Sequence, residues 1–365
     1  MKSANAMLNT NKFKLGLFSV NAEGGTSFTT VPNRWRADWD EIASIVKVAD
    51  DAGLEFILPI ARWKGYGGET DARGASFETL THAAALAAIT RQITIFSTVH
   101  VPIVHPVFAA KALVTIDRVS HGRAGLNIVC GWNQDEFDMF GHQQAEHDDR
   151  YDQGLEWYSI VTRLFESGPP FDYEGSYYKL KQVVGAPRPV QQPRPITLSA
   201  AFSPAGRSFA AQTSDFLFTS LRSFDSAKQH IDEINGLAAK AGRSIGVLTT
   251  THVVCRETDA EAEQYYRYYA EEMADKEAVS IHQAKKDAHY GKVDPEAVKL
   301  ERRRYAGGSG SYPLVGSPQR IVDEIVKMRD CGFSGCTLSF VNFKEEVPPF
   351  IDSVLPLLRH AGLRN

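Results

Sequence analysis

Short β-branched or aromatic runs alternate with long amphipathic stretches along nearly all of this 365-residue chain. That alternation restricts the fold more than any other feature, because strands separated by helices pair in parallel through crossover connections. Strands are predicted at residues 15–20 (LGLFSV), 54–60 (LEFILPI), 93–101 (ITIFSTVHV) and 123–130 (RAGLNIVC). Four more follow at 196–201, 215–221, 247–255 and 336–343. Helices are predicted over 38–53, 76–90, 106–120, 226–241, 318–330 and 347–360. The first closes on Gly53, and the third carries Pro106 in its first turn, where the missing N–H costs nothing. Eight strands, each followed by a helix, predict an α/β protein of the (β/α)8 TIM-barrel class with residues 1–365 as a single domain. An open doubly wound sheet is the rival, but it stops nearer about six strands.

Two segments break the rhythm. Residues 171–190 carry alternating aromatics around Glu174 and Gly175, which predicts a small hairpin, and the run PRPVQQPRP that ends at Pro195 is held extended by its prolines. The stretch 259–310 is charged and Tyr-rich and ends in GGSG; its length exceeds an ordinary loop, which predicts a partly helical, partly mobile insertion. Both insertions, 171–195 and 259–310, are expected over the C-terminal face of the barrel, where active sites lie.

Composition excludes several classes. With 40 Lys+Arg against 44 Asp+Glu, the formal net charge of −4 leaves no concentrated positive face for nucleic acid or an anionic membrane. The four cysteines form no CxxC pair, so a zinc ribbon or a thioredoxin-type centre is unsupported, and a reduced, cytoplasmic setting is expected. The first twenty residues lack the apolar core of a signal peptide, and no apolar run reaches membrane-spanning length.

The densest candidate for chemistry is residues 125–158, GLNIVCGWNQDEFDMFGHQQAEHDDRYDQGLEWY. Asn127 interrupts an apolar strand, where a buried amide must be bonded or cost about 1–3 kcal/mol; a structural bond to a neighbouring strand and a functional role are both open. Gly131 and Trp132 then reach the catalytic rim, and Glu136, Arg150 and Tyr151 lie on the following loop and helix start. Arg150 near a helix start opposes the dipole, which an anion such as phosphate would justify; a surface ion pair with Asp148 or Asp149 is the alternative. His142 and His147, beside Glu146 and Asp148, lack the spacing of a metalloprotease helix, so no metal is assigned. GGSGS fails the nucleophile-elbow pattern, and no GxGxxG follows a strand. KGYGGE, at residues 64–69, reads as a flexible loop; His100 and His105 either face the site or cap the next helix. A polar rim with no nucleophile or metal signature points to a bound cofactor as the source of the chemistry.

The stretches TIDRVSHGRAGLNIVCGW, EHDDRYDQGLEW, YEGSYYKLK with its PRPVQQPRP run, and YPLVGSPQRIVDEI together resemble the bacterial luciferase-like, flavin-dependent monooxygenases. The resemblance spans nearly the whole chain and is sharpest to the branch holding the pyrimidine and dimethyl sulfone monooxygenases. It implies a two-component system, in which reduced FMN from a separate NAD(P)H:flavin reductase activates O2 as a flavin peroxide that oxygenates a small sulfone, organosulfur or pyrimidine-like substrate. By the same resemblance Ala61, Arg62, Asn127, Glu136, Arg150, Tyr151 and Ser203 correspond to FMN contacts, with Arg150 and Tyr151 near the phosphate. The family is usually Gly-rich around the Ser203 position, whereas this chain reads SAAFSPAG. Leu58, Thr98 and Asn127 match an oxygen-pocket trio, in which Thr98 and Asn127 are suited to donate hydrogen bonds. Trp63, Tyr66 and Phe202 are candidate walls of the substrate pocket, and 259–310 is the candidate lid. The resemblance also implies a homo-oligomer, dimer or tetramer. A deazaflavin-dependent oxidoreductase on the same barrel and a non-catalytic FMN-binding protein are the alternatives.

Overall fold

The computed structural model describes residues 5–131, 133–143, 149–166, 168–290 and 295–365, with 286–290 and 295–301 described as backbone alone. In chain order the elements begin β1 (Lys14–Phe18), α1 (Trp39–Asp51), β2 (Phe56–Leu58), α2 (Thr79–Ile89), β3 (Thr94–His100), α3 (Pro106–Val119) and β4 (Ala124–Val129). Then come α4 (Gln134–Met139), α5 (Asp149–Phe165), the antiparallel hairpin β5 (Phe171–Glu174) and β6 (Lys179–Val183), β7 (Ile196–Ala200), α6 (Pro204–Thr213), β8 (Phe216–Thr219) and α7 (Phe224–Lys240). The chain continues with β9 (Gly246–Cys255), α8 (Asp259–Arg267), α9 (Lys276–Tyr290), α10 (Pro295–Gly308), β10 (Tyr312–Gly316), α11 (Pro318–Asp330), β11 (Gly335–Leu338) and α12 (Phe343–His360).

Eight parallel strands in the order β1-β2-β3-β4-β7-β8-β9-β11 close on themselves through the β11–β1 pairing, giving the (β/α)8 barrel. Helix α1 illustrates how the outer ring forms. The Asp38 carboxylate caps the first turn by accepting from the Asp40 and Glu41 N–H groups, and Gly53 at φ +78° follows the last turn. Between them Ile42, Ile45, Val46 and Ala49 recur at helical spacing and are buried against the sheet.

The barrel interior is filled by a separate cluster that includes Phe56, Leu58, Phe96, Leu198, Phe216 and Leu248. Three of its rings are accommodated by a glycine directly across the ladder: Phe56 opposite Gly16, Phe96 opposite Gly125 and Phe216 opposite Gly246. A Cβ on Gly125 would stand 2.5 Å from the Phe96 ring, so aromatic and glycine are one packing unit.

Two expectations shift. Tyr312–Gly316, read only as part of a motif, is a ninth parallel strand outside the barrel, paired with the distal half of the long β9. Pro313 disguised it, and Pro is tolerated there because β10 is an edge strand. The last barrel strand is shorter than the predicted 336–343: it ends at Leu338, and Asn342 caps α12 by accepting from Lys344 and Glu345 N–H. The 259–310 stretch is largely helical among its described residues, its first helix opened by a Thr258–Glu261 capping box.

Candidate active site

Inward-facing strand residues recur every second position, so each strand that packs the barrel core also supplies one side chain to the level above it. Thr98 lies two residues beyond Phe96, Ala200 beyond Leu198, Phe218 beyond Phe216, Thr250 beyond Leu248, and Asn127 two beyond Gly125. Together with Phe18 these residues line a cavity of about 190 Å3 at the C-terminal end of the barrel. Its walls come from the connections: Ala61, Arg62 and Arg73 after β2, Cys130 and Gly131 after β4, Tyr151 on α5, Phe202 after β7, and His282 and Ser309 from the 259–310 stretch.

A hydrogen-bond chain fixes the polar part of the floor. The Thr98 hydroxyl donates to the Pro59 carbonyl at 2.5 Å and accepts from Asn127 Nδ2 at 3.1 Å. The Thr98 proton is therefore committed within the protein, and the Asn127 amide is turned so that its buried Oδ1 is left without a hydrogen-bond partner among the described residues. Leu58, the third member of the expected trio, lies in the barrel core and is not among the cavity-lining residues.

Glu136, fully buried on α4, accepts from Arg62 at 3.0 and 3.2 Å and from the Trp63 N–H at 3.1 Å. Burial pulls the Arg62 guanidinium pKa down, but Tyr66 and Glu136 outweigh it and hold it above the ordinary value. Arg150 donates to the Gly131 carbonyl at 2.7 Å, while its buried Nε has no partner among the described residues. Gly131 stands at φ +97° with its Cα against the Phe137 ring, a conformation that favours glycine. The Tyr151 hydroxyl lies 3.2 Å from Ser203 Oγ, and that oxygen caps α6 by accepting from Gly206 N–H at 3.1 Å. A Cβ on Gly206 would come within 2.6 Å of the Tyr151 hydroxyl, so the cradle at the start of α6 exists only with glycine there.

Two titratable groups in the wall are held neutral. Burial pushes the His100 pKa down to about 4 and the Cys130 thiol up to about 12. His105 does not line the cavity; its ring nitrogen caps α3 by accepting from Val107 N–H. Of the three candidate wall aromatics, only Phe202 lines the cavity. Trp63 is 40 % exposed and packs edge-on against Phe140, whereas Tyr66 is buried among Phe28 and His282. Trp132, Glu146, His147 and Asp148 lie outside the described residues.

The KGYGGE loop is not loose. Asp275, just before α9, accepts from Thr70 N–H and hydroxyl at 2.8 Å each, and Gly67 N–H is bonded to Asp71. This docking brings Arg73 and His282 into the wall, two cavity residues that the sequence reading passed over. Phe18, Phe218 and Thr250 were also passed over, although strand alternation carries a signal for them.

The model of the luciferase-like monooxygenase family matches residues 13–335. The chain belongs to that family. Among curated proteins, this luciferase-like monooxygenase is 30% identical to the FMNH2-dependent dimethylsulfone monooxygenase of Pseudomonas fluorescens, covering 95% of this chain and 94% of the relative. It is 29% identical to the pyrimidine monooxygenase of Cronobacter turicensis, covering 95% and 92% respectively. The solved structure of a long-chain alkane monooxygenase superposes with a TM-score of 0.87 at 19% identity, covering 98% and 93%, and shares the barrel fold. The four cysteines are free, and no described helix is long and apolar enough to cross a membrane.

Proposed function

We propose that this luciferase-like monooxygenase is the oxygenating component of a two-component system, using reduced FMN from a separate NAD(P)H:flavin reductase to oxygenate a small organosulfur or pyrimidine-like substrate. The unpartnered, buried Oδ1 of Asn127 in the cavity floor carries this reading. A reduced flavin ring presents N–H donors, which is what a dry, orphaned acceptor requires. The Tyr151–Ser203–Gly206 cradle supplies the second half of the fit: hydroxyl donors and a helix N-terminus beside a space that a single Cβ would fill, suited to a phosphate.

Reduced FMN would supply the electrons that activate O2, one oxygen atom going to the substrate and the other to water. The protein's share is position and exclusion. Thr98 orients Asn127 through Nδ2, so Asn127 serves the site as an acceptor through Oδ1 and as a donor only through its remaining Nδ2 hydrogen. Phe18 and Phe218 keep the floor dry, and the neutral His100 and Cys130 add no charge to it. Arg62 is balanced by Glu136 and carries little net charge into the cavity.

Anaerobic titration with reduced FMN, followed by rapid mixing with O2 and either dimethyl sulfone or uracil, tests the reading. Tight binding of reduced FMN with oxygenated product is the expected result. Binding of a deazaflavin alone with hydride transfer, or of oxidised FMN with no oxygen consumption, would replace it with one of the two alternatives.

A further inference from the structure

Four arginines among the described residues are at most 7 % exposed, and three of them have an internal role. Arg364 is paired with Glu55 at 2.7 Å. Arg150 ties the end of β4 through Gly131. Arg123 has no carboxylate, yet its five N–H groups meet five acceptors: the carbonyls of Ser120, Ile93, Ala87 and Thr90, and the Thr90 hydroxyl.

Arg73 differs from the other three in lining the cavity. It is 3 % exposed, lines the cavity, and forms no ion pair among the described residues. Its Nε donates to the Gly25 carbonyl at 3.0 Å, and one terminal nitrogen serves Thr26 and Ser309, which leaves Nη1 with no hydrogen bond among the described residues. Its guanidinium stands 5.2 Å from the Phe28 ring centre and 5.5 Å from that of Tyr66, so two aromatic rings lie against it. The Tyr66 hydroxyl, buried as well, supports the charge from close by, and no well-aligned hydrogen bond holds it among the described residues. Carbonyl dipoles and ring faces stabilise a cation without neutralising it, and an uncompensated buried charge is costly. Burial indeed pulls the Arg73 pKa down to about 10, which leaves it protonated at neutral pH.

The position separates Arg73 from the phosphate cradle. Arg73 packs on the segment after β1, whereas Ser203 follows β7, the fifth strand around the barrel and diametrically opposite the first. The side of the cavity bearing Arg73 is thus open to a second ligand.

We propose that Arg73, its charge supported from behind by the buried Tyr66 hydroxyl, is an oxyanion subsite, and that the substrate of this monooxygenase is a small organic acid bearing a carboxylate or a sulfur oxyanion. This rests on the monooxygenase reading and narrows its substrate class. Arg73 binds and orients the anionic group, and the carbon or sulfur that accepts oxygen projects from it into the cavity.

Two pairs, each of a charged and a neutral compound, test the proposal on the unaltered protein, with and without FMN. Methanesulfonate is compared with dimethyl sulfone, and orotate with uracil, by direct calorimetric titration. The charged member of at least one pair should bind about tenfold or more tightly, the value of a charge-assisted hydrogen bond, and the sulfonate and carboxylate arms distinguish the two anions. In Arg73→Met the preference should vanish while the affinity for reduced FMN stays within about twofold; Arg73→Lys should restore part of it. Equal affinity for charged and neutral members in both pairs overturns the proposal, and so does an Arg73→Met protein that keeps the preference or loses reduced FMN instead. Because the anion preference is also read without flavin, a protein that selects anions but binds no reduced FMN would sink the monooxygenase reading and leave the subsite standing.

Discussion

The floor of the cavity and its Arg73 side are built by different physics. Floor residues such as Thr98, Asn127 and Phe218 are set by strand register, one step above the rings and glycines of the barrel core. The Arg73 side is assembled from a loop after β2, the segment after β1, and the α9–α10 part of the 259–310 stretch, which are far apart in sequence. The first arrangement cannot move without unpacking the barrel. The second is held by a few polar ties, of which Asp275 to Thr70 and Lys285 to Asp135 are the clearest. Rigid strand ends beside separately assembled loops let a fold keep one part of a site fixed while the other varies.

The largest effect is expected at the pair that binds these two parts together. Glu136→Ala would leave Arg62 buried without its carboxylate and the Trp63 N–H without an acceptor, costing about 3–5 kcal/mol in urea unfolding. Glu136→Gln keeps an acceptor and should recover part of the loss. A cost below about 1 kcal/mol in Glu136→Ala would mean that strand ends and loops are not joined here. Next comes the floor itself. Gly125→Val should cost about 3 kcal/mol by forcing the Phe96 ring aside, and Phe96→Ala in the same chain should relieve part of it. Additive losses would show that ring and glycine do not form one unit.

The same contrast governs what the sequence revealed. Eight strands and their helices were legible because period-2 and period-3.6 patterns repeat the same packing problem eight times. Asn127 stood out for a related reason: an amide in an apolar strand contradicts its neighbours. Residues such as Phe18 and Thr250 sit in register with that pattern but do not contradict it, so nothing singled them out. Arg73 was invisible for a deeper reason. Its burial depends on Phe28, Tyr66 and Ser309, which are brought to it only by tertiary docking, and in the sequence it reads as one more loop arginine. Leu58 shows the converse, a residue the family resemblance points to that strand register sends into the core.

Acid should separate the barrel from the loops by where each fails. His82 on α2 is buried against Phe77 and Trp39, and neither ring nitrogen has a hydrogen-bond partner among the described residues. Burial lowers its pKa to about 4, so in the unfolded chain it takes up a proton near pH 6.5 that the folded chain refuses. The stability it contributes is complete above pH 6.5 and is lost as pH falls to about 4, amounting to about 3 kcal/mol. His82→Phe should flatten that slope in thermal melts followed from pH 7 to pH 4. An unchanged slope would place the acid sensitivity elsewhere.

The smallest effect is expected on the loop side. Lys285 on α9 donates to Asp135 on α4 at 2.6 Å, and this bond, with the charges of Lys285 and Lys64, holds the Asp135 carboxyl below its usual pKa. A depressed carboxylate stabilises above its unfolded pKa and releases that stability as pH falls through the lower folded value, so this tie outlasts the His82 contribution on acidification. Asp135 is about 40 % exposed, and solvent screening keeps its worth below about 1 kcal/mol. Asp135→Asn should therefore leave the melting temperature almost unchanged while amide exchange in α9 speeds up by no more than about fivefold. If exchange in the barrel strands quickens equally, α9 and the barrel open together, and the division between strand-built floor and loop-built wall does not extend to their dynamics.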